Sequence, residues 1–358
     1  MRDENAIVAT SISIEEPAEE GGDTIVMLDG RRVRLDAADP RSTGYRMVLV
    51  QLREQRRPVY VEVDPARGAV TRVLLPLVTR VVGLVERGDE LLVELAYSHA
   101  VHRVKLSGPD GPDLAQALRR ASDGEGALII TEDDSHVVVD VMEYTPGPDG
   151  PDLPPFPKKP DHVPKVPRPP FWKRWWDWLW WWLRCPSAAR TQHIFDQLGA
   201  TTCPPLTVPA PCIPFMYPDD GCWARANEMC RLMINNLRSP NKVWISGNLH
   251  VDTENNPNCV VYWHWHVAPT LCVRRYWFFT RRMVLDPSLF TTPVPVSTWH
   301  AVQNDPAASL VYTGPEQFGP GGGIDPTYSE TNNYLAKYRT DLLNRSIQEG
   351  PPPYAHCP

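Results

Sequence analysis

The stretch Asp219-Asp220-Gly221-Cys222-Trp223-Ala224-Arg225-Ala226-Asn227-Glu228-Met229-Cys230-Arg231-Leu232-Met233-Ile234-Asn235-Asn236-Leu237 reads as one helix, with Pro218, Asp219 and Asp220 as its start signals. Positions 222, 226, 229, 230, 233 and 237 share one face, and their Cys, Ala, Met and Leu members make that face apolar. Cys222 therefore heads the buried face from the first turn. A thiol there feels the positive end of the helix dipole, which favours the thiolate, and unpaired first-turn N–H groups can hold an oxyanion beside it. Asp219 and Asp220 oppose the first effect, so a nucleophilic Cys222 still needs a base. For a cysteine standing alone, the competing reading is a small buried hydrophobe.

Two downstream segments bear on that choice. Cys259 to Ala268, CVVYWHWHVA, has the pattern of a strand with Tyr262, His264, His266 and Ala268 on one face and Trp263 and Trp265 on the other. Arg282-Met283-Val284-Leu285 is a second strand, stopped by Asp286-Pro287 so that the aspartate stands at the rim. A helix-start Cys, a strand His and a strand-end Asp supply nucleophile, general acid/base and orienter. Spacing alone leaves this open, because a long chain offers many such triples. His264 with His266 is also half of an i, i+2 zinc site, but Cys259 and Cys272 are poorly placed to complete it, and no metal is expected.

At these residues the chain resembles the bacterial protein-glutaminase family of protein-glutamine deamidases. The resemblance rests on DDGCWARANEMCRLM (219–233), VWISGNL (243–249), WHWHVAPTL (263–271), VLDPSLF (284–290), PVPVSTW (293–299) and DPTYSETNNYL (325–335). These blocks occur in the family's order and span about 204–345. The resemblance implies an α+β fold similar to transglutaminases and papain-like cysteine hydrolases, with Cys222 as nucleophile, His266 as base and Asp286 as the residue orienting the histidine. Family members often carry histidine where this chain has Asn227, a position that is not the catalytic base. Family enzymes are also secreted with a signal peptide and an inhibitory pro-segment, whereas no signal is read here and an unfamiliar acidic β domain stands in front.

That front half reads as a small all-β barrel or sandwich. Between Thr24 and Glu143, runs such as TIVML, RRVRL, MVLVQ, PVYVEV, TRVVGLVE, LLVELAY, HRVKL, ALIIT and HVVVDVM alternate with turn signals. Pro112 to Ser122 has helical spacing and is the one helix expected there. His99, His102 and His136 sit singly among strands and read as ordinary core or surface residues. Thr145 to Pro170 holds 11 prolines in 26 positions, the pattern of a semi-rigid spacer. Seven of the 13 tryptophans then fall between Trp172 and Trp182, too many for one core face, so this stretch is expected to dock on the chain itself, on a partner or on a membrane surface. The division expected is 1–144 for the acidic β-rich domain, regulatory or pro-segment-like, 145–170 for the linker, 171–185 for the Trp-rich segment and 186–358 for the catalytic domain.

Composition narrows the remaining choices. The chain has 358 residues, and 42% of them are hydrophobic, which suits a folded chain of two domains. Residues 1–150 carry 17 Lys+Arg and 27 Asp+Glu, or -10, against 19 and 16, or +3, in 151–358. The net charge of -7 argues against nucleic acid as a partner. All eight cysteines lie after residue 184 and none forms Cys-x-x-Cys, which removes zinc ribbons and thioredoxin-type sites; with Cys222 kept free, at most three disulfides can form. The Gly319 to Gly323 run lacks the Lys-Ser/Thr of a phosphate cradle, and no cofactor is implied. Neither a signal peptide nor a spanning helix is read, so the compartment stays open between cytoplasm and a signal-independent export route.

The function expected is hydrolytic deamidation of protein-bound glutamine through a Cys222 thioester, with protein or peptide substrates. Transglutaminase-type crosslinking or a cysteine protease on the same triad are the alternatives within the chemistry. An interaction protein docked through Trp172 to Trp182 is the alternative outside it, and oligomeric state is not readable. A front half that folds back to restrain the catalytic half is a further expectation.

Overall fold

The computed structural model describes residues 5–15, 22–124, 126–145, 185–236, 238–275 and 279–357. Leu237, nearly all of the 145–170 linker and the Trp172 to Trp182 stretch lie outside these residues. Two compact units are present. Unit 1 comprises Met1–Pro155, Pro204–Pro209 and Ala336–Cys357, and unit 2 comprises Phe156–Cys203, Ala210–Leu335 and Pro358.

Unit 1 is α+β. Strands β1 (Ala6–Ala9), β2 (Ile12–Glu15), β3 (Thr24–Leu28), β4 (Arg31–Leu35), β5 (Val59–Asp64) and β6 (Ala69–Leu74) form a six-stranded sheet ordered β1-β5-β6-β4-β3-β2. Strands β7 (Leu77–Thr79), β8 (Val81–Arg87), β9 (Glu90–Leu95), β10 (His102–Lys105), β11 (Leu128–Glu132) and β12 (Val138–Glu143) form two three-stranded sheets, β10-β9-β8 and β12-β11-β7. The two helices are α1 (Ser42–Glu54) and α2 (Gly111–Ser122).

Helix α1 corrects the expectation of an all-β front half. Its core, MVLVQ, has the branched side chains of a strand, yet Tyr45, Val48, Leu49 and Leu52 are buried at helical spacing. Tertiary packing overrides the local preference here. The partner is supplied by the second half of the long helix α6 (Ser329–Glu349), far away in sequence. Gln55 Nε2 donates to Thr340 Oγ1 at 2.8 Å, Arg57 pairs with Asp341 at 3.0 Å, and Asn344 Nδ2 donates to the Val73 carbonyl at 2.9 Å. Gly44 is needed for the close approach, because a Cβ there would stand 2.6 Å from Ile347 Cγ1. Helix α2 forms where expected, and its Ala115 and Leu118 enter a core with Leu91, Val93, Leu95, Val104 and Ile130.

Unit 2 is built on a five-stranded antiparallel sheet ordered β16-β15-β14-β13-β17. Its strands are β13 (Asn241–Asp252), β14 (Val260–Arg274), β15 (Thr280–Val284), β16 (Val294–Pro295) and β17 (Ser309–Thr313), and a small hairpin of β18 (Gln317–Gly319) and β19 (Gly322–Ile324) follows. Helices α3 (Ala188–Gly199), α4 (Cys222–Asn235) and α5 (Val296–Ala301) belong to this unit. The disulfides Cys185–Cys272 and Cys203–Cys212 tie its first segments to the sheet and close a short loop, while Cys222 and Cys230 are free thiols. No helix of the described residues is long and apolar enough to cross a membrane.

Strand β14 departs from simple alternation. Val261 and Trp263 share a core with Ala268, so the inward face switches between Trp263 and His266. The register against β13 shifts between Ser246 and Leu249, which places a bulge directly opposite the switch. Asp305 closes the bulge by accepting the Asn248 N–H at 2.8 Å.

Candidate active site

Cys222 is the first residue of α4. The helix is entered through Gly221, whose φ of +80° lies in the left-handed region that glycine adopts without strain. Asp220 turns its carboxylate back to accept the Gly221 N–H at 2.9 Å. Asp219 is pinned from the sheet side, its carbonyl accepting the Trp263 indole N–H at 3.0 Å and its carboxylate accepting from Asn256. The segment expected to begin the helix at Asp219 is thus a buried, hydrogen-bonded elbow, and the helix itself starts at the cysteine.

His266 projects from β14 beside that elbow, with a ring nitrogen within 4.8 Å of the Cys222 sulfur. Its Nε2 is 2.9 Å from Asp286 Oδ2. Nε2 is thus the ring nitrogen turned to the carboxylate, and Nδ1 lies on the other side of the ring. The imidazole lies between two indoles, stacked on Trp263 at 4.4 Å and 15° and on Trp299 at 5.5 Å and 27°. Two apolar plates and one carboxylate leave the ring little freedom. Asp286 follows β15, where Pro287 ends the ladder and the Asp286 carbonyl accepts the Leu289 and Phe290 N–H groups in a tight turn. Its Oδ2 also accepts the Trp299 indole N–H at 2.9 Å.

The electrostatics of the pair differ from those of the thiol. Burial alone would raise the Asp286 carboxyl, but the neighbouring His266, the Trp299 hydrogen bond and the Arg225 guanidinium hold it below the usual carboxylate range. For Cys222 burial wins. It pushes the thiol well above its ordinary value, against the opposing pull of Arg225 and of a hydrogen bond from the Val267 backbone N–H. Desolvation thus works against the helix terminus that was expected to favour the thiolate, and the need for a base, expected from Asp219 and Asp220, is the greater for it.

Arg225 was not singled out by the sequence reading. It is 2% exposed, and its Nη1 donates to the carbonyls of Tyr217 at 2.9 Å and Asp220 at 2.6 Å, so one side chain holds the elbow and supplies the nearby positive charge. Trp299 was missed as well. It lies inside a block that carries the family resemblance, but no spacing rule places an indole N–H on a carboxylate 13 residues away. Asn227 stands apart from the reacting groups: its Nδ2 donates to Thr331 Oγ1 and its Oδ1 accepts from Lys242 Nζ, both at 2.8 Å. Burial lowers Lys242 to about 8 and raises the neighbouring thiol of Cys230 to about 12. The zinc half-site of His264 with His266 is not realised as a group of metal ligands among the described residues.

Residues 191–303 match a family model described as glutaminase. Among solved structures, the chain is similar to a crystal structure of pro-protein-glutaminase, with 23% identity and a TM-score of 0.53 over 80% of this chain and 99% of that one. It is also similar to a crystal structure of protein-glutaminase, with 30% identity over 43% of this chain and 88% of that one and a TM-score of 0.39. For protein-glutaminase from Chryseobacterium proteolyticum, solved by NMR, the identity is 30% over 49% of this chain and 97% of that one, with a TM-score of 0.40. No protein with a curated description matches the chain.

Proposed function

The chain belongs to the protein-glutaminase family, and from that premise we propose that it is an enzyme hydrolysing the side-chain amide of protein-bound glutamine to glutamate, with Cys222, His266 and Asp286 as its triad. The observation that carries the assignment of roles is the shared carboxylate oxygen of Asp286, which fixes His266 through Nε2 within 4.8 Å of Cys222. The order of elements, nucleophile at a helix start, base on the next strands and carboxylate at a strand end, supports a transglutaminase- and papain-like scaffold.

Because burial disfavours the Cys222 thiolate, His266 acts first as base. Nδ1 takes the thiol proton as the sulfur attacks the glutamine carboxamide carbon, and the first-turn N–H groups of α4 stabilise the oxyanion. Collapse breaks the C–N bond, and the imidazolium proton leaves with the nitrogen as ammonia. Water, deprotonated by the same nitrogen, adds to the thioester; the C–S bond breaks, glutamate departs and Cys222 regains its proton. Asp286 carries no proton in this cycle. It stabilises the imidazolium and keeps Nδ1 aimed at the reacting atoms.

The test is ammonia release from a glutamine-containing peptide and from a denatured protein, by wild type and by Cys222→Ala, with and without a primary amine. Release abolished in the variant, with no amine incorporated, supports deamidation. Amine incorporation would instead make the second nucleophile an amine and the enzyme a transglutaminase, and silence in wild type would sink both.

A pro-segment-like role for the front half is part of the same proposal. The likeness to pro-protein-glutaminase spans 80% of a 358-residue chain, about 286 residues, and the 208 residues after position 150 cannot supply all of them. A single cut in the 145–170 linker should then raise turnover. Deleting residues 1–170 is the poorer test, because unit 1 also contains Ala336–Cys357 and those residues would be left unpartnered.

A further inference from the structure

Unit 1 gathers three side chains that the sequence scatters. The histidines expected to stand singly do not: an isolated parallel bridge, Arg103 to Val137, draws the start of β10 against the turn that follows β11, and the Arg103 N–H donates to the His136 carbonyl at 2.9 Å. His102 opens β10, Glu132 closes β11, and His136 follows four residues later with φ of +57°. One carboxylate oxygen of Glu132 meets His102 Nδ1, and the other lies 2.8 Å from His136 Nδ1. The two imidazoles stand edge to face with centroids 5.3 Å apart. One ligand atom from each of the three residues falls within 4.8 Å of the other two.

We propose that His102, Glu132 and His136 form a divalent-metal site of the zinc class, with both histidines ligating through Nδ1, and that the ion fastens the sheet β10-β9-β8 to the sheet β12-β11-β7. Two imidazoles and one carboxylate are the donor set that suits Zn²⁺ with a fourth position left for water. The charges also suit it. Both Glu132 oxygens are engaged by imidazole nitrogens, one by His102 and one by His136, which places the carboxylate as the anionic member of the donor set. A dication would take the place of the protons that now bridge carboxylate and rings.

The surroundings orient the donors. Ser98 Oγ lies 2.8 Å from His102 Nε2 and accepts the Ala100 N–H at 3.3 Å, so it can take the Nε2 proton and leave the Nδ1 lone pair turned inward. Access is asymmetric. The His102 side chain is fully buried, whereas Glu132 and His136 retain 13% and 11% exposure, enough for an ion and its water to enter from one side. His136 has a left-handed backbone, a conformation uncommon outside glycine, and its ring meets Glu132 from there.

The full chain, stripped with a chelator, is titrated with Co²⁺ and then competed with Zn²⁺, which is spectroscopically silent. One equivalent of cobalt is expected, with visible ligand-field bands of a nitrogen and oxygen site and no sulfur-to-cobalt charge transfer, unchanged in Cys222→Ser. Binding should weaken by at least about tenfold in His136→Asn and in His102→Gln. His136→Asn keeps a residue that tolerates the left-handed backbone, so its melting temperature in chelator should match that of wild type, while zinc should raise only the wild-type value. Absence of binding in wild type would overturn the site. So would a charge-transfer band lost in Cys222→Ser, or affinity undiminished in His136→Asn, and the latter variant decides the matter alone should His102→Gln fail to fold.

Discussion

The indole N–H of Trp299 and the imidazole of His266 converge on a single oxygen of Asp286, each at 2.9 Å, while the two rings themselves lie nearly parallel. In the proposed cycle this makes Trp299 a positioning residue that acts through the carboxylate. In Trp299→Phe the stacked ring stays and the donor goes, which should cost about tenfold in kcat, within the range for a hydrogen bond to a charged group. The sign of the pH effect follows from the cause. Losing a donor that lowers the Asp286 carboxyl raises it, so the acidic limb of the kcat/KM profile moves to higher pH. A loss of rate with an unmoved acidic limb would leave Trp299 a packing residue only.

Asp286→Asn should be far more damaging although the change is nearly isosteric. The new amide can donate to His266 Nε2, which forces the ring proton onto Nδ1, the nitrogen that must accept the proton of Cys222. A fall of about 10³ to 10⁴ in kcat is expected, with the far-ultraviolet dichroism unchanged. Activity within tenfold of wild type would show that His266 takes its orientation from the two flanking indoles instead.

Arg225 pulls the Cys222 thiol down against burial. Replacing it with methionine should shift inactivation by iodoacetamide to higher pH, and the unsatisfied Tyr217 and Asp220 carbonyls should lower stability by about 1–3 kcal/mol. The pH profile of the alkylation rate, compared between wild type and variant, checks the first part, and urea unfolding checks the second. An unshifted profile would remove Arg225 from the electrostatics of the thiol.

Lys242 is lowered by burial to about 8 and Cys230 is raised by burial to about 12. Above pH 8 the unfolded chain binds the lysine proton more tightly than the folded one, so stability should rise with pH; above about 9 the unfolded Cys230 thiol loses its proton first, and its contribution runs the other way. The net expectation is a rise between about pH 8 and 9 that flattens or reverses beyond. Urea unfolding of wild type should show this rise and Lys242→Met should lack it. Equal slopes in the two proteins would mean that Lys242 is neutralised by a partner instead of destabilised by burial.

The places of the candidate residues were more legible in the sequence than the surrounding fold, for a physical reason. Cys222, His266 and Asp286 stand at a helix start, on a strand and after a strand, and those places are written locally by the 3.6 and 2.0 periodicities and by Pro287. What escaped depends on distant partners. The MVLVQ run of α1 becomes helical only against a segment more than 280 residues away. The face switch between Trp263 and His266 depends on a bulge in the neighbouring strand, and the grouping of His102 with His136 depends on a bridge between two sheets. For Cys222, position shows both the helix dipole and the buried face, but which of the two wins depends on how completely the surrounding packing excludes water.

Unit 1 draws its parts from both sides of the catalytic residues, and this has a temporal meaning. A ribosome releases β1 to β12 and the whole triad before it has made Thr340, Asp341 and Asn344, the residues that receive Gln55, Arg57 and the Val73 carbonyl. During synthesis, then, Cys222 exists on a nascent chain whose front half is still missing its final helical segment. The contacts of Gln55, Arg57 and Val73 with that segment can form only after translation has passed residue 344.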